Sequence, residues 1–324
     1  MKPPVFIVGC PRSGTSFLYN LLLSSGSFAE FHTQMNVFDV LEPIYGDLSV
    51  AKNAKKMMQA WLLSKAFRAS GLQANEIEAK VVAECHGASD FLRIVMDEVA
   101  RKQRTESWID STPTNIPHML RIHRDLPEAR FIHILRDPRN VALSLDARGW
   151  TRPLPWDKSR SLLAAGLYWE WIVRKARKYG SRLGPQYVEV RYEELITNAH
   201  ETLAKLSPFL KQELDYRRIE QGGYSFKAFL TSFEEELRQG NFMPVLRWKT
   251  KFPSHQLACF EKLIGEYMQE VGYALLGKEK PGCSLAVKAM RLEYALYYES
   301  KQWAKVNTPL TRIMVDYSSI LIDK

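Results

Sequence analysis

The sequence predicts an α/β fold of three layers, with helices on both sides of a central, mainly parallel sheet. Three observations carry that expectation. Short apolar runs recur at Val5–Val8, Trp108–Ile109, Phe131–Leu135 and Tyr187–Val190. Longer stretches of helical period separate them, and strands alternating with helices build parallel sheets. The run Phe131-Ile132-His133-Ile134-Leu135 is nearly continuous in hydrophobicity, as a strand covered on both faces requires.

In chain order, Val5–Val8 reads as a buried strand, followed by a turn and a helix from Thr15 to about Ser24. Phe17, Leu18, Leu21 and Leu22 form one apolar stripe on that helix. Helical period returns from Val50 to Ala69 before Gly71, from Asp90 to Arg101 after Ser89, and from Arg160 to Tyr179 before Gly180. Gly71 and Gly180 are placed to end their helices in the left-handed conformation. Pro253 and Gly272 bracket a helix over Ser254–Val271. The run from Gly277 to Gly282 reads as a linker, and Leu285–Val306 as a helix rich in Tyr and Trp, with a lid, an oligomer contact and plain packing as its three readings. The expected organisation is one domain over residues 1–276, then a linker and helical extension over 277–324.

Bulk properties narrow the function classes. Of 324 residues, 46% are hydrophobic and 25% charged, ordinary globular values that argue against disorder. Lys and Arg total 45 against 36 Asp and Glu, a formal charge of +9 that favours anionic partners. No basic stripe or nucleic-acid motif accompanies the charge, so nucleic acid is not the expected partner. Cys10, Cys85, Cys259 and Cys283 are far apart and form no C-x-x-C pair, which suits free thiols in a reducing compartment. The first apolar run is too short for a signal peptide, and none approaches the ~20 residues of a membrane span. The expectation is a cytoplasmic protein without stable membrane insertion; the sequence gives no reading of its oligomeric state.

The chemistry begins at Gly9-Cys10-Pro11-Arg12-Ser13-Gly14-Thr15-Ser16, between the first strand and its helix. Two glycines five apart permit a tight turn whose backbone N–H groups face an anion. The helix beginning at Thr15 adds the positive end of its dipole, and the Thr15 and Ser16 hydroxyls add donors. An ATP-binding loop carries Lys after its second glycine; here Thr15 stands there and the cation is Arg12. A guanidinium forks across two oxygens of a phosphate or sulfate, where an ammonium acts as a point charge.

This segment, continued by Phe17-Leu18, resembles the 5′-phosphosulfate loop of the sulfotransferases that use 3′-phosphoadenosine 5′-phosphosulfate (PAPS) as donor. The resemblance is closer to the bacterial, carbohydrate and tyrosylprotein branches than to the cytosolic aryl and steroid branch. It implies a P-loop-type fold and a second signal after a later strand, an Arg followed eight residues on by Ser. Arg136 and Ser144 stand at that spacing, directly after Leu135, and by resemblance hold the 3′-phosphate. Val190-Arg191-Tyr192-Glu193-Glu194-Leu195 resembles the strand-end Tyr-Glu-Asp-Leu element, which puts Tyr192 near the nucleotide. Phe17 matches an adenine-facing aromatic, and Arg247-Trp248-Lys249 resembles the late basic element that closes over the nucleotide. The donor-binding set implied is Arg12, Ser13, Gly14, Thr15, Ser16, Phe17, Arg136, Ser144, Tyr192, Arg247 and Lys249. The resemblance spans roughly residues 3 to 276.

Sulfuryl transfer, like phosphoryl transfer, depends on positioning and on stabilising charge around the moving group. Arg12, with Thr15, Ser16 and the loop amides, is the expected stabiliser of the leaving bisphosphate (PAP). No metal is expected, because the sequence has no clear cluster of carboxylate, His or Cys ligands. In cytosolic relatives a Lys-Thr-His triplet ends the strand before the Arg-Asp-Pro strand; Asp110-Ser111-Thr112-Pro113 stands here instead. Other branches of the resembled family take the base from the segment after the loop helix, which here implies His32 or Glu30; the two share a face if that segment is extended, with His86 or Glu84 behind them. His133 reads as a core residue, and His118 has no expected role. The acceptor, a small molecule, glycan or peptide, is left open, with Val37–Gly71 and Pro153–Leu163 as expected walls supplying Trp61, Phe67 and Trp156. Two rival readings are an ATP-dependent small-molecule kinase, with Asp110 or Asp137 as its magnesium ligand, and a non-catalytic nucleotide-binding relative.

Overall fold

A computed structural model describes residues 1–157, 161–214, 217, 219, 245–277 and 284–314. Arg160, Cys283 and most of the expected linker lie outside the described residues. Five strands form one sheet: β1 (Val5–Val8), β2 (Phe28–Ala29), β3 (Ser107–Asp110), β4 (Arg130–Leu135) and β5 (Tyr187–Arg191). Every pairing among them is parallel, and the order across the sheet is β2-β3-β1-β4-β5. β1 lies between β3 and β4, where the strand order reverses. Open α/β sheets bind ligands at the carboxyl ends of the strands at such a reversal.

The side-chain alternation of β1 divides the core. Val5 and Ile7 face the layer that contains helix α1 (Thr15–Leu23), whereas Phe6 and Val8 face the opposite layer. Both layers bury apolar side chains against the sheet, which is why the strands read as continuous hydrophobic runs. The second layer is built on α2 (Ala88–Lys102), α3 (Pro138–Asp146), α4 (Ser161–Leu183) and α6 (Ser254–Glu270); α5 (Tyr192–Thr197) follows β5 on the first.

Three sequence expectations change. The stretch from Val50 to Ala69 is two helices, Ala51–Trp61 and Lys65–Ser70, because the Ser64 hydroxyl accepts the Phe67 N–H at 3.1 Å and restarts the helix. Gly180 lies inside α4 and does not end it. A Cβ there would stand 2.5 Å from the Tyr187 ring, so the glycine admits β5 against the helix. Trp61 is buried in the core against Phe67 and Phe91, and so cannot line a cleft.

Beyond the linker, α7 (Leu285–Asn307) lies along α4, with Tyr294 and Tyr298 in the main core. The Tyr298 hydroxyl donates to the Ala164 carbonyl at 2.9 Å, and the Trp171 indole N–H donates to Glu299 at 2.9 Å. Among the described residues no helix is long and apolar enough to cross a membrane.

Candidate active site

The loop after β1 has the backbone of an anion cradle. Gly14, at φ 101°, is the left-handed N-cap of α1, and no side chain caps that helix. Arg12 also takes a positive φ of 74°, a conformation an L-residue adopts only when its surroundings impose it. Ser13 N–H donates to the Cys10 carbonyl at 3.0 Å and closes the turn. The Ser13 hydroxyl is buried without a partner among the described residues, although such groups are normally satisfied. Thr15 is buried and Ser16 exposed at the first turn of α1. An uncapped N-terminus, an orphaned hydroxyl and a glycine turn together suit a phosphate or sulfate oxygen.

Arg136 ends β4 and reaches back to this loop: its Nη1 donates to the Arg12 carbonyl at 3.0 Å. The Arg12 side chain crosses the other way, with Nε donating to Ser144 Oγ on α3 at 2.9 Å. Two motifs more than a hundred residues apart thus meet at the carboxyl ends of the two adjacent strands β1 and β4. Burial, then the charges of Arg148 and Arg136, push the Arg12 guanidinium below its ordinary value. Like charges gathered at a partly buried site favour an anion between them.

Asp137 does not pair with Arg136. Its carboxylate caps α3 by accepting the Arg139 N–H at 2.9 Å and also binds the Arg139 guanidinium. Arg139 is buried and continues to Glu261 at 2.7 Å, with its guanidinium 3.6 Å from the centre of the Trp248 ring. Asn140 holds the same segment through its amide, donating to the Val245 carbonyl at 2.7 Å and accepting the Trp248 N–H at 3.0 Å. Arg247 and Lys249 flank Trp248, so these bonds bring the late basic segment to the Arg136–Ser144 helix. Arg139 and Asn140 carried no signal of their own in the sequence, although both lie between Arg136 and Ser144.

Tyr192 is buried, with the Arg136 guanidinium 4.0 Å over its ring and the Phe17 ring edge-on at 6.2 Å. Its ring also backs Gly14. Tyr192 and Phe17 thus prop the loop from beneath, in the layer of α1.

His32 and Glu30 do share a side, 4.0 Å apart, but their side chains are 56% and 67% exposed. Glu84 and His86 are exposed as well. Asp110, at the head of the segment that replaces the triplet, is buried and accepts from Thr112 N–H at 3.0 Å, Thr112 Oγ1 at 3.1 Å and Asn115 Nδ2 at 2.7 Å. Burial raises its pKa to about 6 against the opposing pull of the Thr112 hydrogen bonds. Among the described residues no group of three or more His, Cys, Asp or Glu is placed to hold a metal ion.

A cavity of about 330 Å³ opens beside the loop at Pro11, walled by Trp150, Tyr168 and Tyr297, with Asp39 also on its lining. Trp150 joins it to the anion site, its ring centre 5.6 Å from the Arg12 guanidinium. Asp39 sits on a π-helical turn, Val37–Leu41, a distortion frequent at functional sites. Its carboxylate accepts from His118 Nε2 at 2.7 Å, Gln302 at 3.1 Å and Lys305 at 2.8 Å. Burial pushes Asp39 up, but the His118 hydrogen bond and the Lys305 charge outweigh it and hold the group well below the usual carboxylate range. Neither Asp39 nor His118 carried a signal in the sequence, because no spacing joins residues 39, 118 and 305.

A sulfotransferase family model matches residues 3–216, about two thirds of the chain. The chain belongs to the sulfotransferase family. It is therefore an enzyme that moves a sulfuryl group from PAPS to an acceptor, and the match gives no support to the kinase reading. The search of curated proteins found no match. Among solved structures, the sulfotransferase domain from the curacin biosynthetic pathway is similar at 15% identity, covering 85% of this chain and 99% of that one, with a TM-score of 0.54. The sulfotransferase domain of the Synechococcus PCC 7002 olefin synthase is similar at 17% identity, covering 92% and 95%, with a TM-score of 0.51. At such identities the two structures speak for the fold, the α/β architecture found here.

Proposed function

We propose that the sulfotransferase site is split between a donor half on the loop after β1 and an acceptor half in the adjoining cavity. The observation that carries this reading is the reciprocal contact of Arg12 with Ser144 and of Arg136 with the Arg12 carbonyl. In the donor half, Arg12, Ser13, Thr15, Ser16 and the Gly14 turn hold the 5′-phosphosulfate. Arg136 and Ser144 hold the 3′-phosphate, and Arg247 and Lys249 cover the nucleotide from the segment fixed by Asn140. Phe17 and Tyr192 keep the loop in place. Cys10 and Cys85, buried free thiols, suit a reducing compartment, and we place the enzyme in the cytoplasm.

The reaction is an in-line displacement. An acceptor oxygen or nitrogen forms a bond to sulfur as the bond from sulfur to the 5′-phosphate oxygen breaks, and the electron pair leaves with PAP. Arg12 and the uncapped amides of α1 stabilise the charge that develops there. Asp39 receives the acceptor's proton. Its three protein hydrogen bonds fill three of about four acceptor positions, and the residue lines the cavity. A weakly basic carboxylate suffices, because an oxygen already bonded to sulfur loses its proton readily and the transition state is loose. His32 and Glu30 face solvent and serve as the comparison.

Thermal unfolding of the protein with PAP, and separately with ATP and magnesium, tests the donor half. A ligand at a hundred times its dissociation constant raises stability by about 2.7 kcal/mol. Stabilisation by PAP without metal, lost in Arg136→Ala, is the expected result. Stabilisation by ATP with magnesium alone would overturn the assignment.

A further inference from the structure

The acceptor half of the site contains a wall that the family match does not reach. The match ends at residue 216, whereas Tyr297, Lys301 and Lys305 on α7 line the cavity beside Pro11. The helix is fixed there at several points. Lys305 and Gln302 bind Asp39, and the Tyr294 hydroxyl accepts the Leu154 N–H at 3.2 Å. Arg291 joins Glu170 of α4. α7 is thus part of the cavity's construction.

The lining defines what fits. Trp150, Tyr168, Trp171 and Tyr297 present aromatic surface, which suits a planar ring held by offset or edge contacts. The cavity's volume of about 330 Å³ is at the small end for ligand sites, enough for a compact molecule and too little for a folded chain segment. Charge adds a second constraint. Arg152, Lys301 and Lys305 line the space with one carboxylate, Asp39, which Lys305 already pairs at 2.8 Å. Among the described residues no carboxylate pairs with Arg152 or Lys301, and both side chains are exposed. Two cations without a carboxylate partner among the described residues, Lys301 lying 5.7 Å over the Tyr297 ring, favour an anion attached to the ring.

We propose that α7 makes this enzyme selective for a small aromatic acceptor that carries an acidic group, its ring against Tyr297 and Trp150 and its anion at Lys301 and Arg152. The proposal rests on the cavity being the acceptor half of the sulfotransferase site. In that pose the hydroxyl or amine points toward Pro11 and Arg12, and the acidic group lies toward the exposed end of the cavity.

Three probes of one shape test it: 4-hydroxyphenylacetate, the neutral alcohol 4-(2-hydroxyethyl)phenol, and tyramine, whose tails are anionic, neutral and cationic. Each is titrated calorimetrically, at fixed low ionic strength, into the protein with and without saturating PAP. The expected order of affinity is anion, then neutral, then cation, with about tenfold or more between the ends. Lys301→Glu reverses the order, and Tyr297→Ala weakens all three by a similar factor; PAP affinity is unchanged in both. Equal affinity for the three, an order that Lys301→Glu leaves intact, or binding of none of them overturns the proposal. Failure of PAP to bind overturns the donor assignment instead, and the titrations without PAP still read the cavity.

Discussion

Replacing Gly14 with Ala tests whether the loop is held open by its backbone and by Tyr192 together. Alanine at φ 101° costs about 1 kcal/mol or more for the left-handed conformation alone. The new Cβ would also stand 2.7 Å from Tyr192 Cε2. That ring has no easy retreat, since it is buried, covered on one face by Arg136 and met at its edge by Phe17. Overpacking at such a site adds about 1–3 kcal/mol. The total expected is about 3 kcal/mol, read as the loss of unfolding free energy in urea at constant slope. In a Tyr192→Ala background the overlap is gone, and the cost of Gly14→Ala should fall to the backbone part, about 1 kcal/mol. An equal cost in both backgrounds, or a loss under 1 kcal/mol in the parent, would show that Tyr192 does not prop the loop.

Other consequences follow from the same contacts. Arg139→Ala leaves Asp137 and Glu261 buried without their shared cation, and urea unfolding should show a loss of about 3–5 kcal/mol; a loss under 1 kcal/mol would contradict the triad's structural role. Asp110 has a folded pKa of about 6, above its unfolded value, so the native state binds the extra proton between the two. Stability should therefore fall by about 2–3 kcal/mol as pH rises from roughly 4 to 6 and then level off, a slope that Asp110→Asn removes. Parallel pH profiles of parent and variant would refute it. Asp39→Asn should lower kcat about a hundredfold with PAP affinity unchanged, whereas His32→Ala and Glu30→Gln change kcat less than threefold. The reverse pattern would return the base to the exposed segment.

What the sequence made legible is what local chemistry dictates. β1, β4 and β5 are apolar runs of strand length, and the turn at Gly9–Gly14 needs its glycines for reasons visible in a few residues. Arg12, Arg136 and Ser144 could be read because each stands at a fixed offset from a strand end. Gly180 was misread because a glycine that ends a helix and one that admits a neighbouring ring look alike until Tyr187 is placed against it. Trp61 and Trp150 are equally aromatic in the sequence, yet one is core and the other walls the cavity. The Asp39–His118–Lys305 cluster was out of reach for the same reason. It joins a π-helical turn, a turn before a helix and α7, and only tertiary packing sets those distances.

The central claim is that one site reads both phosphates of the donor, through Arg12 at one and Arg136 with Ser144 at the other. Calorimetric titration with PAP and with 5′-AMP, which lacks the 3′-phosphate, tests it most directly in the parent and in Arg136→Ala. Charge-assisted hydrogen bonds of about 1.5–3 kcal/mol each imply that the parent prefers PAP by about a hundredfold. Arg136→Ala should lose most of that preference while its affinity for 5′-AMP changes little. A preference that survives the substitution, or a parent that binds the two nucleotides equally, would contradict the account.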